Sequence, residues 1–114
     1  MTLVGLDVGT TAVKALAVSP TGDVLERVER EYPLSTPRPG WSEQDPDDWV
    51  RAAESALAEI GAGADGIGLS GQMHGLVCLD AGGKVLRPAI LWNDQRTGRQ
   101  CVEIEERVGR ERLV

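Results

Sequence analysis

The chain has 114 residues and 12.2 kDa, enough for one domain that buries roughly two-thirds of its unfolded surface. Its composition, 41% hydrophobic and 26% charged, is that of a globular protein rather than a disordered one, and no apolar run reaches membrane-spanning length. A formal net charge of −6 with a pI near 4.7, and Lys and Arg that are spread rather than clustered, argue against a nucleic-acid partner. If phosphate is bound, local geometry and a metal must do it. Met1 leads almost at once into an apolar run without a basic, apolar and small-residue leader, so the chain reads as cytoplasmic, with no membrane association. The two cysteines, Cys78 and Cys101, form no disulfide or zinc pattern and read as core residues.

Residues 3 to 8 (LVGLDV) are an apolar run with one acid near its end, followed by Gly9-Thr10-Thr11 and a second run from Ala12 to Val18. This is strand, tight turn, strand. A turn at Thr21-Gly22-Asp23 and the apolar positions Val24, Leu25, Val28 and Tyr32 predict a third strand, so that three antiparallel strands open the domain. Pro33, Pro37 and Pro39 exclude helix over residues 33 to 46 and make that stretch a surface loop. A helix follows, with Asp45 as N-cap, Pro46 at the first position, Asp47 and Asp48 at the positive end of the dipole, and Gly61 as its stop. Trp49, Ala53, Leu57 and Ile60 recur at helical spacing.

Asp65 to Ser70 (DGIGLS) is the return strand expected after such a crossover. Gly71-Gln72-Met73-His74-Gly75 is a glycine-bounded loop, and Leu76 to Leu79 and Val85 to Leu91 read as a hairpin around Asp80-Ala81-Gly82-Gly83. Cys101, Ile104 and Val108 follow helical spacing within a charged stretch from about Gln95 to Arg110.

The first chemically suggestive group is Asp7 with Gly9, Thr10, Thr11 and, further along, Lys14. A carboxylate inside an apolar strand requires a cation or hydrogen-bond donors, because an unpaired buried charge costs several kcal/mol. Gly9 permits a tight turn, and the threonines offer amides and hydroxyls at its tip, which makes a cradle for phosphate with Mg²⁺ beside Asp7. On this motif alone, a plain hairpin whose aspartate caps its own turn stays open. Lys14 shares a strand face with Leu16 and Val18, where it can pair with Asp7 or a phosphate, or simply snorkel at the surface.

The stretch DVGTTAVK resembles the first phosphate motif of the actin, hexokinase and sugar-kinase superfamily. GWSEQDPDDW (Gly40 to Trp49), SGQMHG (Ser70 to Gly75) and LRPAILWNDQR (Leu86 to Arg96) are similar to the xylulokinases of the FGGY carbohydrate kinase family, in that order. The resemblance covers essentially the whole chain and implies an α/β, ribonuclease-H-like (actin-like ATPase) lobe. Residues 1 to 114 would be the first part of the N-terminal domain, and the later N-terminal motifs and the C-terminal lobe are absent.

By resemblance, Asp7 positions Mg²⁺ and the transferring phosphate, possession of which falls to Gly9, Thr10, Thr11 and Lys14. Met73 and His74 contact the sugar, and Trp92, Asn93 and Asp94 wall the same pocket. The chemistry is compatible: a ketose offers hydroxyls to His74 and Asn93 and C–H faces to Met73 and Trp92. A histidine after a strand or a tryptophan at a strand end is by itself more often a structural residue, and only the joint pattern assigns them to a site. Trp41 and Trp49 read as packing residues. The implied activity is phosphorylation of D-xylulose to D-xylulose 5-phosphate with MgATP.

The family's general base, an aspartate in a Gly-Gly-Asp-Asn-type motif, does not occur, so the chain alone is expected to be inactive. It is also expected to self-associate or dimerise through uncovered apolar surface. Two alternatives remain: another FGGY kinase acting on ribulose, fuculose or glycerol, with Met73 and His74 as discriminators, and a non-catalytic sugar-binding relic.

Overall fold

The computed structural model describes residues 1–113. Its main sheet has the order β3-β2-β1-β5, built from β1 (Leu3–Val8), β2 (Ala12–Val18), β3 (Val24–Glu31) and, further along the chain, β5 (Gly66–Gly71). The first three strands pair antiparallel, and β5 returns beside β1 in parallel. Between β3 and β5 come a two-residue strand, β4 (Glu43–Gln44), and the helix α1 (Pro46–Ile60). A second small ladder joins β4 to β6 (Ala89–Ile90), and α2 (Gly98–Val108) and a short 3-10 turn at Arg110–Arg112 follow.

The alternation along β1 and β2 dictates which side of the sheet receives the helix. Val4, Leu6, Val13, Ala15 and Ala17 are buried, whereas Leu3, Lys14 and Leu16 are exposed. α1 presents Ala52, Ala56 and Ile60 to this surface, flanked by Trp49, Ala53 and Leu57. The two alanines let the helix settle closely over β2 and β3, and its margin touches β1. β5 lies outside its cover, so Ile67 and Leu69 stay exposed. Asp45 caps the helix by accepting from the Asp47 amide at 3.0 Å, an interaction worth about 1 kcal/mol, and the Gly61 amide donates to the Leu57 carbonyl at 2.7 Å.

The mixed α/β sheet and the α1 crossover agree with expectation, but three elements differ from it. The proline-rich segment is not wholly a loop: Ser35 and Glu43 exchange two backbone hydrogen bonds at 2.8 and 2.9 Å, and β4 then pairs with β6. The hairpin over residues 76 to 91 is reduced to single bridges, Leu79 with Val85 and Leu76 with Ile90. Pro88 lies between those bridges and has no amide to donate to a continuous ladder. α2 begins only at Gly98, because Asp94 to Thr97 form a turn tied to earlier loops, and none of its residues is buried. Cys101 is accordingly exposed and Cys78 half-buried, so neither is the core residue expected. Among the described residues no helix is long and apolar enough to cross a membrane.

Candidate functional site

Parallel pairing of β1 and β5 has a direct chemical consequence. Strands that run the same way end at the same edge, which is where open α/β sheets collect ligand-binding loops. Val8 stands in register with Gly71, and the Gln72 amide donates to the Val8 carbonyl at 2.9 Å. The turn Gly9–Thr11 and the loop Gly71–Gly75 therefore leave the sheet side by side, although residues 12 to 70 lie between them in sequence. Glycine at position 71 suits this closeness: a Cβ there would stand 3.0 Å from the Val8 carbonyl oxygen, and the two strands would have to shift apart to admit it.

The turn is closed by the Gly9 amide donating to the Ala12 carbonyl at 3.0 Å. A Cβ at Gly9 would meet that carbonyl at 3.1 Å, a tight contact that the turn would have to yield to accept, and the Asp7 carboxylate at 3.4 Å. The Tyr32 hydroxyl, buried at the end of β3, donates to the Gly9 carbonyl. Burial, with the Asp7 charge second, pushes the Tyr32 phenol up to about 12. Among the described residues the Thr10 and Thr11 amides have no acceptor, which leaves two N–H groups open at the tip.

Asp7 is half-buried and accepts from the Ser70 hydroxyl at 2.7 Å. Lys14 stands opposite it in the β1–β2 register, yet its ammonium lies 3.9 Å from Glu29 in an exposed pair instead of bonding Asp7. Asp7, Lys14 and Ser70 line an open depression of about 520 Å³ with Gly5, Leu16 and Gly68. No group of three or more acidic, histidine or cysteine residues is placed to hold a metal ion among the described residues. A single carboxylate beside open amides fits Mg²⁺ arriving with a nucleotide, since that ion keeps waters and phosphate oxygens and needs only one or two protein carboxylates.

The loop beyond β5 displays its side chains. Met73 is 68% exposed, and His74, also exposed, holds φ of 63°, the one non-glycine residue with positive φ among those described. Left-handed backbone at a residue with a Cβ costs about 1 kcal/mol and is found where local geometry serves a site. Residues 92 to 94 point three ways. The Trp92 indole donates to the Thr10 hydroxyl at 3.2 Å, which brings this residue to the turn. Asn93 faces a depression formed with Thr36, Arg38, Trp41 and Ser42.

Asp94 turns inward. It accepts from Arg96 Nε at 2.8 Å, from the Arg96 terminal nitrogen at 2.7 Å, and from the Ser42 and Arg96 amides at 2.7 and 2.9 Å. The Arg96 guanidinium holds its carboxyl far below the usual carboxylate range. Arg96 also pairs with buried Glu43 at 2.8 Å and stacks 3.7 Å from the centre of the Trp41 ring. Asp94 is thus a clamp on the fold whose acceptor positions are taken by protein donors, so any part it has in walling a sugar pocket is indirect, through the loops it ties together. Trp41 and Trp49 do pack, and each also has a polar duty: Trp41 under Arg96, and Trp49 as donor to Gln44 at 3.0 Å. Sequence reasoning passed over Gln44, Ser70, Gln72 and Arg96, all inside or beside the quoted motifs, because no periodicity distinguishes a linking amide from a surface one.

The family profile described as "FGGY family of carbohydrate kinases, N-terminal domain" matches residues 2–114. The chain belongs to this family. It is 46% identical to the xylulose kinase of Bacillus subtilis over 94% of its own length and 23% of that protein. Its fold superposes on the xylulose kinase of Rhodospirillum rubrum with a TM-score of 0.93 at 36% identity, covering 97% of this chain and 24% of that one. It also superposes on the glycerol kinase of Plasmodium falciparum with a TM-score of 0.87 at 18% identity, covering 98% and 24%, a likeness of fold alone. The chain therefore spans about a quarter of the length of the FGGY relatives it matches.

Proposed function

We propose that residues 1–114 form the first part of the N-terminal domain of a kinase that transfers the γ-phosphate of MgATP to a hydroxyl of D-xylulose. The observation that carries this reading is the adjacency of the Gly9–Thr11 turn and the Gly71–Gly75 loop at one sheet edge, in a chain 46% identical to a xylulose kinase. Phosphoryl transfer depends chiefly on positioning and on neutralising charge, and the two loops would divide that work.

On the phosphate side, the open Thr10 and Thr11 amides donate to phosphate oxygens. The Thr10 hydroxyl serves elsewhere, because its hydrogen goes to Gln72. Asp7 would hold Mg²⁺, directly or through water, and the ion supplies charge neutralisation when bound. Lys14 can swing from its exposed pairing with Glu29 to add a positive charge. On the sugar side, His74 hydrogen-bonds hydroxyls, while Met73 and Trp92 cover C–H faces; Asn93 reaches the same ligand only from the margin, beside Trp41. The base that accepts the sugar proton comes from outside residues 1–114.

The test is a hybrid kinase in which residues 1–114 replace the matching segment of the Bacillus subtilis enzyme. Xylulose-dependent ADP formation well above that with ribulose or glycerol is expected, whereas the 114-residue chain alone gives none. A folded hybrid without xylulose-dependent turnover defeats the proposal.

A further inference from the structure

The two loops are joined by a closed ring of side-chain hydrogen bonds. Gln44, 2% exposed, donates from its amide nitrogen to the Thr10 carbonyl at 2.6 Å. Its amide oxygen accepts from Gln72 at 3.2 Å and from the Trp49 indole at 3.0 Å. The Gln72 oxygen in turn accepts from the Thr10 hydroxyl at 3.3 Å, and that hydroxyl accepts from the Trp92 indole at 3.2 Å. The orientation of Gln44 is fixed by its partners. Rotating the amide by half a turn would face its NH₂ toward the Trp49 N–H and its oxygen toward the Thr10 carbonyl, losing both bonds.

A buried amide in a loop-rich region is ordinarily satisfied by whichever backbone is nearest. Here the partners come from separate parts of the candidate site: the phosphate turn through Thr10, the sugar loop through Gln72, and the Trp92 turn through its indole. Every member except Trp92 is shielded at least in part, where hydrogen bonds polarise one another and an unmade bond is costly. We infer that Gln44 and Gln72 are positioning residues that set the separation of the phosphate turn from the sugar loop, so that a displacement at either loop is felt at the other. This rests on the kinase reading for its purpose, but the coupling itself belongs to the isolated chain.

The chain carries three tryptophans, and two of their indole N–H groups terminate the ring on opposite sides, with Trp41 outside it as a control. Gln72 hydrogen-bonds to neither indole, whose acceptors are Gln44 and Thr10. In nitrogen-15 spectra of the 114-residue chain, Gln72→Leu should move both the Trp49 and Trp92 indole signals and speed their exchange with solvent several-fold, leaving Trp41 in place. Gln44→Glu, which keeps the acceptor but not the bond to Thr10, should shift Trp92 despite having no contact with it, and it serves if the first variant does not fold. Movement of only one indole, or of neither, in a folded variant overturns the coupling. In the hybrid kinase, Gln72→Leu should lower kcat on the order of 10- to 100-fold, as expected when reacting groups are misplaced by about 1 Å, with little change in KM for MgATP. An unchanged kcat overturns the positioning role. An inactive parent hybrid alongside intact indole coupling defeats the kinase reading alone.

Discussion

Asp7 and Asp94 are both aspartates that the sequence assigns to the site, Asp7 to Mg²⁺ and phosphate and Asp94 to the wall of the sugar pocket. The structure separates them by how much of their acceptor capacity is used. Asp94, with its side chain only 3% exposed, takes four hydrogen bonds from Arg96 and Ser42. Asp7 takes one, from Ser70, and no cation pairs with it among the described residues. A saturated carboxylate is committed to the fold, whereas a half-satisfied one at a strand end keeps lone pairs for a metal or a donor.

The largest expected effect breaks this comparison at Asp7. Asp7→Asn in the hybrid kinase should lower kcat by at least about 100-fold, the scale of losing a group that neutralises charge in the transition state. Because only the Ser70 bond is at stake, the denaturation midpoint should move by no more than about 1 kcal/mol in free energy. A variant that unfolds while keeping its turnover would reverse the roles assigned to the two residues.

Asp94 should do the opposite. Replacing it with Asn leaves Glu43 as the remaining carboxylate on the Arg96 guanidinium and lowers the thermal midpoint at neutral pH. Arg96 depresses the folded carboxyl below its ordinary 3.8, so the stability it contributes is complete above about that pH and is lost as pH falls through the folded value. The parent and Asp94→Asn midpoints should therefore differ most near neutrality and converge in acid. Curves that stay parallel down to pH 2 would show that ionisation of Asp94 contributes nothing.

The pattern of what was legible follows the same division. Periodicity placed β1, β2 and the capped α1, because each buries a face whose spacing is visible along the chain, whereas β3 buries only Val28 and β5, which buries no residue, was legible as an apolar run returning after a helix. It could not place β4, which is two residues long, read β6 only as part of a longer strand over Val85 to Leu91, and could not show that α2 buries nothing, since an amphipathic pattern looks the same whether or not a partner covers it. The site motifs were visible as residue types, and the adjacency of the two loops was implicit in a parallel return strand. What could not be read was the use of each polar atom: that Asp94 is saturated, that Lys14 leans to Glu29, and that the Thr10 hydroxyl is a link. Those depend on partners up to 82 positions away, as in the Trp92 bond to Thr10.

His74 sharpens the contrast between a residue that supports the fold and one that the fold supports. With φ at 63°, it holds a conformation that glycine adopts without cost. His74→Gly should therefore leave stability unchanged or raise it by up to about 1 kcal/mol, while sugar turnover in the hybrid collapses. A large loss of stability would mean that the imidazole packs, which its exposure contradicts.

The smallest effect concerns Tyr32, and it reads Asp7 from the other side. Tyr32 is the chain's only tyrosine, so a spectrophotometric titration follows its phenol alone. Its value should be found near 12, mainly because burial disfavours the phenolate, with the Asp7 charge adding to the effect. Asp7→Asn should bring it down while leaving it above the ordinary 10.0, since burial is the larger cause and is untouched by the change. The sign of the stability effect follows: the raised phenol contributes fully below pH 10 and loses its contribution as pH climbs toward 12, where the folded form also ionises. A phenol that does not respond to Asp7→Asn would mean that the carboxylate is already neutralised in the free chain, and then Asp7 would resemble Asp94 after all.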